Sequence, residues 1–346
     1  MFTATSHCTS RSKVALATAM FLTLATVIFA GGGAQTTTQA SGSRVIGISK
    51  IVAHPALDAV EQGIQDELTE LGFTDLTYDL QNANGEASTA ASIASKFQAD
   101  RVALAIGIAT PTAQALVNNL RGIPVIYSAV TDPIGAGLVE SEDRGGEFVT
   151  GISDLTPVKE QLELLVRLQP SIRRIGHVYS SGEANAVALA DLAKAAAEEL
   201  GLEFIGSTVA NSAEVRTAAQ SIVNRVDAYY VSTDNTVVSA MNALLEVAAN
   251  GGKPVMSADP SSAEDGGVLA AWGFDYYKMG RATGRLVSRI LNGEAPASIG
   301  VQYLTDPNDV NLVLNLDVAK ELGISVPQDL LDSASVLIRN GQLVQQ

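Results

Sequence analysis

Residues 103–116 read ALAIGIATPTAQAL, and residues 228–241 read AYYVSTDNTVVSAM. Each starts as a short apolar run, passes through small polar residues, and continues at helical spacing. The parallel extends downstream, where IPVIYSAVTDP at 123–133 is echoed by KPVMSADP at 253–260. Twice, then, a helix returns through a Pro-Val strand that ends in small hydroxyl residues, an aspartate and a proline. Such repetition predicts two α/β units, each a parallel sheet wound on both faces by helices.

Working outward, short β-branched runs alternate with Ala-rich segments from Arg44 onward. RVIGIS leads into HPALDAVEQGIQDELTELG, in which Ala56, Val60, Ile64, Leu68 and Leu71 share a helical face and Gly72 supplies the stop. IPVIYSAV closes this first series. A second begins with the helix PVKEQLELLVRLQP and runs through the strands RIGHVYS, EFIGSTV, DAYYVS and KPVMSA, separated by helices. The fold class expected is therefore α/β, with two doubly wound Rossmann-like lobes. Residues 44–153 with about 274–300 are expected to form lobe 1, and 154–273 with about 301–346 lobe 2. The helix at 276–292 should return to the first lobe and the tail recross to the second, making a hinge of several strands. In the tail, VQYL and NLVLNL read as strands, DVAKELG as a short helix and SVPQDLL as a loop.

The first 34 residues differ in kind. Arg11 and Lys13 precede the apolar run VALATAMFLTLATVIFA, which is followed by small residues suited to signal peptidase, so 1–34 reads as a cleaved export signal. A retained membrane anchor is the competing reading, because the run sits at the lower edge of spanning length. Cys8, the only cysteine, precedes the apolar run, so no lipoprotein cleavage site exists. Residues 35–43 read as a flexible leader.

With 346 residues, 47% hydrophobic, the chain has ample material for two packed cores. Its 37 acidic against 22 basic residues give a net charge of -15, which repels phosphate backbones and argues against nucleic acid. Catalytic signatures are missing: there is no Gly-x-Ser-x-Gly elbow, HExxH helix, phosphate loop or Gly-x-Gly-x-x-Gly turn. His and Cys are too few for a metal centre. His177 lies inside a strand and reads as a satisfied or half-exposed structural residue, whereas His54 follows the first strand and could line a cleft. No cofactor or metal is expected.

What the strand ends offer is hydroxyls and carboxylates. Thr110, Thr131, Asp132, Ser181, Glu183, Asn185, Asp234, Asn235, Asp259 and Asp275 all fall at strand-to-helix junctions. Capping alone would account for several, Thr110-Pro111 as an N-cap with a following proline and Asp132-Pro133 as a turn. Their recurrence at equivalent places in two halves favours a shared ligand cleft. A zwitterionic amino acid would suit it, with its carboxylate at the helix start near Thr110 and its ammonium on a carboxylate such as Asp234. Ile51 and Val52, with Phe274, could clasp an apolar side chain.

ATPTAQAL, SAVTDPIGAGLV, VTGISDLTPVKEQLELL, RIGHVYSSGEANAVAL, VDAYYVSTDNTVVSAM and GFDYYKMGRATGRL occur in this order between Arg44 and Ile338. In these motifs the chain resembles the solute-binding proteins of ABC importers, and in particular the subgroup that binds tryptophan and other aromatic amino acids. The resemblance implies a type I periplasmic binding protein fold, a monomer that closes over a small solute in the periplasm and presents it to an inner-membrane permease with its ATPase. It implies Thr110, Thr131, Asp132, Glu183, Asn185, Asp234, Asn235, Phe274 and Asp275 as cleft residues. Relatives commonly carry YNPGEANS where this chain has YSSGEANA, which places Ser180, Ser181 and Ala186 there and loosens the inference to ligand. Two other readings remain open at this point: a sensory module of a signalling system, and a cleft enzyme using the carboxylates.

Overall fold

A computed structural model describes residues 44–263 and 266–346. The expected export signal and leader fall outside the described residues. Among the described residues, no helix is long and apolar enough to cross a membrane.

The first series runs β1 (Arg44–Lys50), α1 (Pro55–Glu70), β2 (Leu76–Asn82), α2 (Ala87–Asp100), β3 (Leu104–Ile108), α3 (Thr110–Asn119), β4 (Val125–Val130) and β5 (Val149–Ser153). The second runs α4 (Val158–Leu168), β6 (Arg174–Ser180), α5 (Ala184–Glu199), β7 (Glu203–Val209), α6 (Val215–Ile222), β8 (Ala228–Val231), α7 (Asn235–Val238), α8 (Met241–Asn250), β9 (Val255–Ser257) and β10 (Ala270–Phe274). The remainder is α9 (Tyr276–Leu291), β11 (Gln302–Tyr303), β12 (Val310–Asn315), α10 (Leu316–Glu321), α11 (Gln328–Ser333), β13 (Val336–Arg339) and β14 (Gln342–Gln345).

Two sheets result. The first has six strands in the order β2-β1-β3-β4-β5-β11, all parallel. The second has eight, β7-β6-β8-β9-β10-β12-β13-β14, parallel except at β10–β12 and β13–β14. Strands such as LAIGI and VIYSAV are buried along their whole length, as befits parallel strands covered on both faces. This is the two-lobe α/β fold of periplasmic binding proteins.

The chain crosses between the sheets after β5, between β10 and α9, and after β11. Helix α9 lies against α1 at very short range. A Cβ on Gly63 would come within 2.3 Å of the Tyr277 carbonyl oxygen, and one on Gly280 within 2.3 Å of that of Val60. Met279, Leu286 and Val287 of α9 join the same core as Val60 and Ile64 of α1. On the outer side of this contact Arg281 pairs with Glu67 and Glu70.

Several local expectations need correction. IPVIYSAV does not close the first series, because β5 adds a further strand and β11 pairs beside it, so the chain leaves the first sheet for the last time only after Tyr303. SVPQDLL, expected as a loop, leads into α11. Thr110 is the first residue of α3 and not its cap; Ala109 occupies the cap with φ 77 and ψ 157. His177 is fully buried, its ring stacked on Tyr179 and Tyr230 and its Nδ1 2.8 Å from the Tyr230 carbonyl oxygen. Desolvation lowers its pKa to about 4, so it is a neutral core residue.

Candidate functional site

Strand ends from both sheets converge on one narrow space between the lobes. From the first lobe it is lined by His54, Ala56 and Leu57 at the start of α1 and by Ala129 in β4. Asn185, Thr233, Asp234, Asn235, Val238 and Asp259 face it from the second lobe. Asp154 and Tyr276, each beside a crossing, complete the wall.

The backbone is strained where the first lobe meets this space. Ala129 adopts φ 54, and Ala109 at the end of β3 lies in a region that is nearly exclusive to glycine. Strain of this kind costs on the order of 1–3 kcal/mol per residue and concentrates at functional sites. Unpaired polar atoms occur in the lining, at His54, Asn185 and Thr233, and at the ends of β1, β3 and β8. Ser49 Oγ, Thr110 Oγ1, Asn185 Oδ1, Ser232 Oγ, Thr233 Oγ1 and both ring nitrogens of His54 are buried without a hydrogen-bond partner among the described residues. Buried polar atoms are normally paired, so such a concentration marks a surface built to meet a polar molecule.

The electrostatics are one-sided. Asp154, Asp234 and Asp259 are buried, and among the described residues no Lys or Arg lines the space. Asp234 caps α7 by accepting from the Val237 N–H at 3.0 Å, and accepts from the Ser180 N–H at 2.6 Å. Desolvation, with the neighbouring charge of Glu183, still pushes its pKa up to about 7. Asp154 accepts from Thr131 Oγ1 at 3.2 Å and from the Tyr276 hydroxyl at 3.0 Å, and desolvation raises it to about 6. Asp259 is also raised by desolvation, offset by the His54 ring and by Ser261. His54 is itself shifted down by desolvation, with Asp259 opposing.

Of the residues singled out from sequence, His54, Asn185, Asp234, Asn235 and Asp259 share the enclosed space. The others are placed elsewhere. Glu183 is buried just behind, accepting from Asn235 Nδ2, the Thr236 N–H and the Thr236 hydroxyl. Thr131 reaches the site through Asp154, and Thr110 keeps a buried hydroxyl beside β3. Asp132 and Ser181 line a groove at one mouth of the cleft, with Glu183, and Asp132 accepts from the Gly135 N–H at 2.8 Å as a turn residue. Ile51 and Val52 line another groove with Asn84, Glu183 and Thr236, and Ile51 is also part of the first core. Phe274 and Asp275 face a separate cleft bounded by α1, α9 and β12–β14, and Asp275 caps α9 at Lys278. The apolar clasp expected of Ile51, Val52 and Phe274 is thus not assembled around the enclosed space. Sequence reasoning missed Asp154, Tyr276, Ala129 and Thr233. Thr233 left a signal, as a hydroxyl directly after the strand DAYYVS, whereas the strand before Asp154 was itself not read from sequence.

The family model of ABC transporter substrate binding proteins matches residues 45–338. A tyrosine-binding protein of Clostridioides difficile is 36% identical over 288 residues, 82% of each chain. Among solved structures, the ABC domain in complex with L-Trp from Streptococcus pneumonia has 34% identity and a TM-score of 0.82, covering 86% of this chain and 100% of that one. The ligand-free, open structure of a substrate binding protein with adhesive properties from Clostridium difficile has 36% identity but a TM-score of 0.63, over 83% and 97% of the two chains. At near-equal identity the ligand-bound relative fits better, in keeping with the enclosed space between the lobes here. Two lobes closed over an internal cavity, and a family match across nearly all of the described residues, lead to one assignment: the chain belongs to the ABC transporter substrate binding proteins.

Proposed function

We propose that the protein captures an aromatic amino acid, tyrosine, tryptophan or phenylalanine, between its lobes and delivers it to an ABC permease of the inner membrane with its ATPase. The observation that carries this reading is the interlobe space lined by buried carboxylates with no Lys or Arg among its described lining residues. Such a surface is completed by a ligand's ammonium group. The relatives that bind tyrosine and L-Trp supply the ligand class. On this reading the α-carboxylate lies toward the first sheet, where Ser49 and Thr110 hold unpaired buried hydroxyls. Thr131, Asp132, Ser181, Glu183, Ile51, Phe274 and Asp275 then act around the cleft, while His54, Asn185, Asp234, Asn235 and Asp259 act within it.

The protein would work in the periplasm as a monomer after loss of residues 1–34, and would bind without turnover. Thermal denaturation with each of the three amino acids tests the ligand. A ligand held only by the folded state adds about 2.7 kcal/mol at a hundredfold excess over its Kd, which raises Tm by several degrees. No shift with any of the three would remove the ligand assignment.

A further inference from the structure

The carboxylates around the cavity differ in the kind of donor the protein places on them. Asp234 takes two backbone N–H groups, one on each oxygen. Asp259 takes the Ser261 N–H at 2.9 Å and the Ser261 hydroxyl on both oxygens, and faces His54. Asp154 also takes two donors, one per oxygen, but both are side-chain hydroxyls and neither is a backbone N–H, and each carboxylate offers about four lone-pair sites. It is 3% exposed, lines the cavity, and has no ion-pair partner among the described residues. A buried carboxylate held only by side-chain hydroxyls, which can turn, keeps acceptor sites free for an incoming ammonium group.

Its position adds a second argument. Asp154 is the first residue after β5, in the crossing to α4. One of its donors, Thr131, follows β4 in the first lobe, and the other, Tyr276, opens α9 on the return crossing. A group seated on Asp154 therefore touches two of the three hinge segments at once. Asp234, by contrast, ties β6 to α7 within the second lobe.

We propose that Asp154, and not Asp234, is the seat of the ligand's ammonium group, so that the charge which completes the site is bound at the hinge. This rests on the aromatic amino acid reading. The test is calorimetric titration of the wild type, Asp154→Asn and Asp234→Asn with L-tyrosine and with 3-(4-hydroxyphenyl)propionate, which lacks only the amino group. The wild type should prefer tyrosine by at least about thirtyfold, the scale of a buried charge pair. In Asp154→Asn that preference should fall to near unity, and in Asp234→Asn it should persist. Should Asp154→Asn not fold, Asp154→Glu keeps the charge but moves it by one methylene, and should cut the preference at least tenfold. Preference retained in the Asp154 variants, or lost in Asp234→Asn instead, overturns the assignment. No binding of any aromatic amino acid by the wild type overturns the ligand reading itself, and the seat with it.

Discussion

Asp234 shows how one side chain serves the architecture while standing at the site. Its two oxygens hold the start of α7 and the end of β6 together, so Asp234→Ala leaves two backbone N–H groups without partners. Losing a cap and a buried acceptor together should destabilise the protein by about 2–4 kcal/mol, read as a lower urea midpoint. His177 bears on pH. Its folded pKa of about 4 lies below the 6.5 of the exposed group, so its contribution is fully present above pH 6.5 and is lost as pH falls through 4. Asp154 and Asp234 act the other way. Raised to about 6 and about 7, they favour the folded state below pH 3.8, and that contribution is lost as pH rises through those values. The limbs oppose each other, so a variant is needed to separate them. His177→Phe should change its stability difference from wild type by about 3 kcal/mol between pH 7 and pH 4, measured by denaturant unfolding at each pH. A pH-independent difference would rule out His177 as a titrating core residue. The site was partly legible at this scale. His54, Asn185, Asp234, Asn235 and Asp259 stand at strand ends that the repeat exposes. Asp154 gains its meaning only from Thr131 and Tyr276, 23 and 122 residues away in sequence, a contact that no local pattern encodes.

Among the elements, α1 and α9 form the contact that ties the returning helix to the first lobe. Glycine in a helix interior ordinarily gives way to alanine with a gain of up to about 1 kcal/mol. At Gly280 the added Cβ would meet the Val60 carbonyl oxygen at 2.3 Å, so the helices would have to separate. Gly280→Ala should therefore destabilise by about 1–3 kcal/mol, visible in the urea midpoint, and a stabilised variant would contradict the packing described. Most helices and the long β-branched strands were readable because their periodicity is local. The missed strands are those whose cue is weak or lies in tertiary pairing. β5 is five residues with a glycine at its centre, and β10 is an Ala-Ala-Trp-Gly-Phe run that is recruited between β9 and β12. The β13–β14 hairpin did carry a local cue: Asn340 and Gly341 take φ 53 and 69, as a two-residue hairpin turn requires.

At the scale of the molecule, two sheets joined by three crossings enclose a cavity whose acids have no Lys or Arg among its described lining residues. Closing the lobes without a cation keeps buried charge uncompensated, so the ligand-free protein should favour an open arrangement and the ligand a closed one. Small-angle scattering should then show a smaller radius of gyration with saturating ligand than without it. The two halves of this arrangement could be read from the repeated strand-turn-helix pattern, whereas closure depends on contacts between lobes that no single segment carries. The central claim is that this cleft holds one aromatic amino acid, and isothermal titration of the purified protein with L-tyrosine, L-tryptophan and L-phenylalanine tests it most directly. The account predicts saturable binding of at least one of them at one site per chain; no saturable binding of any of the three would contradict it.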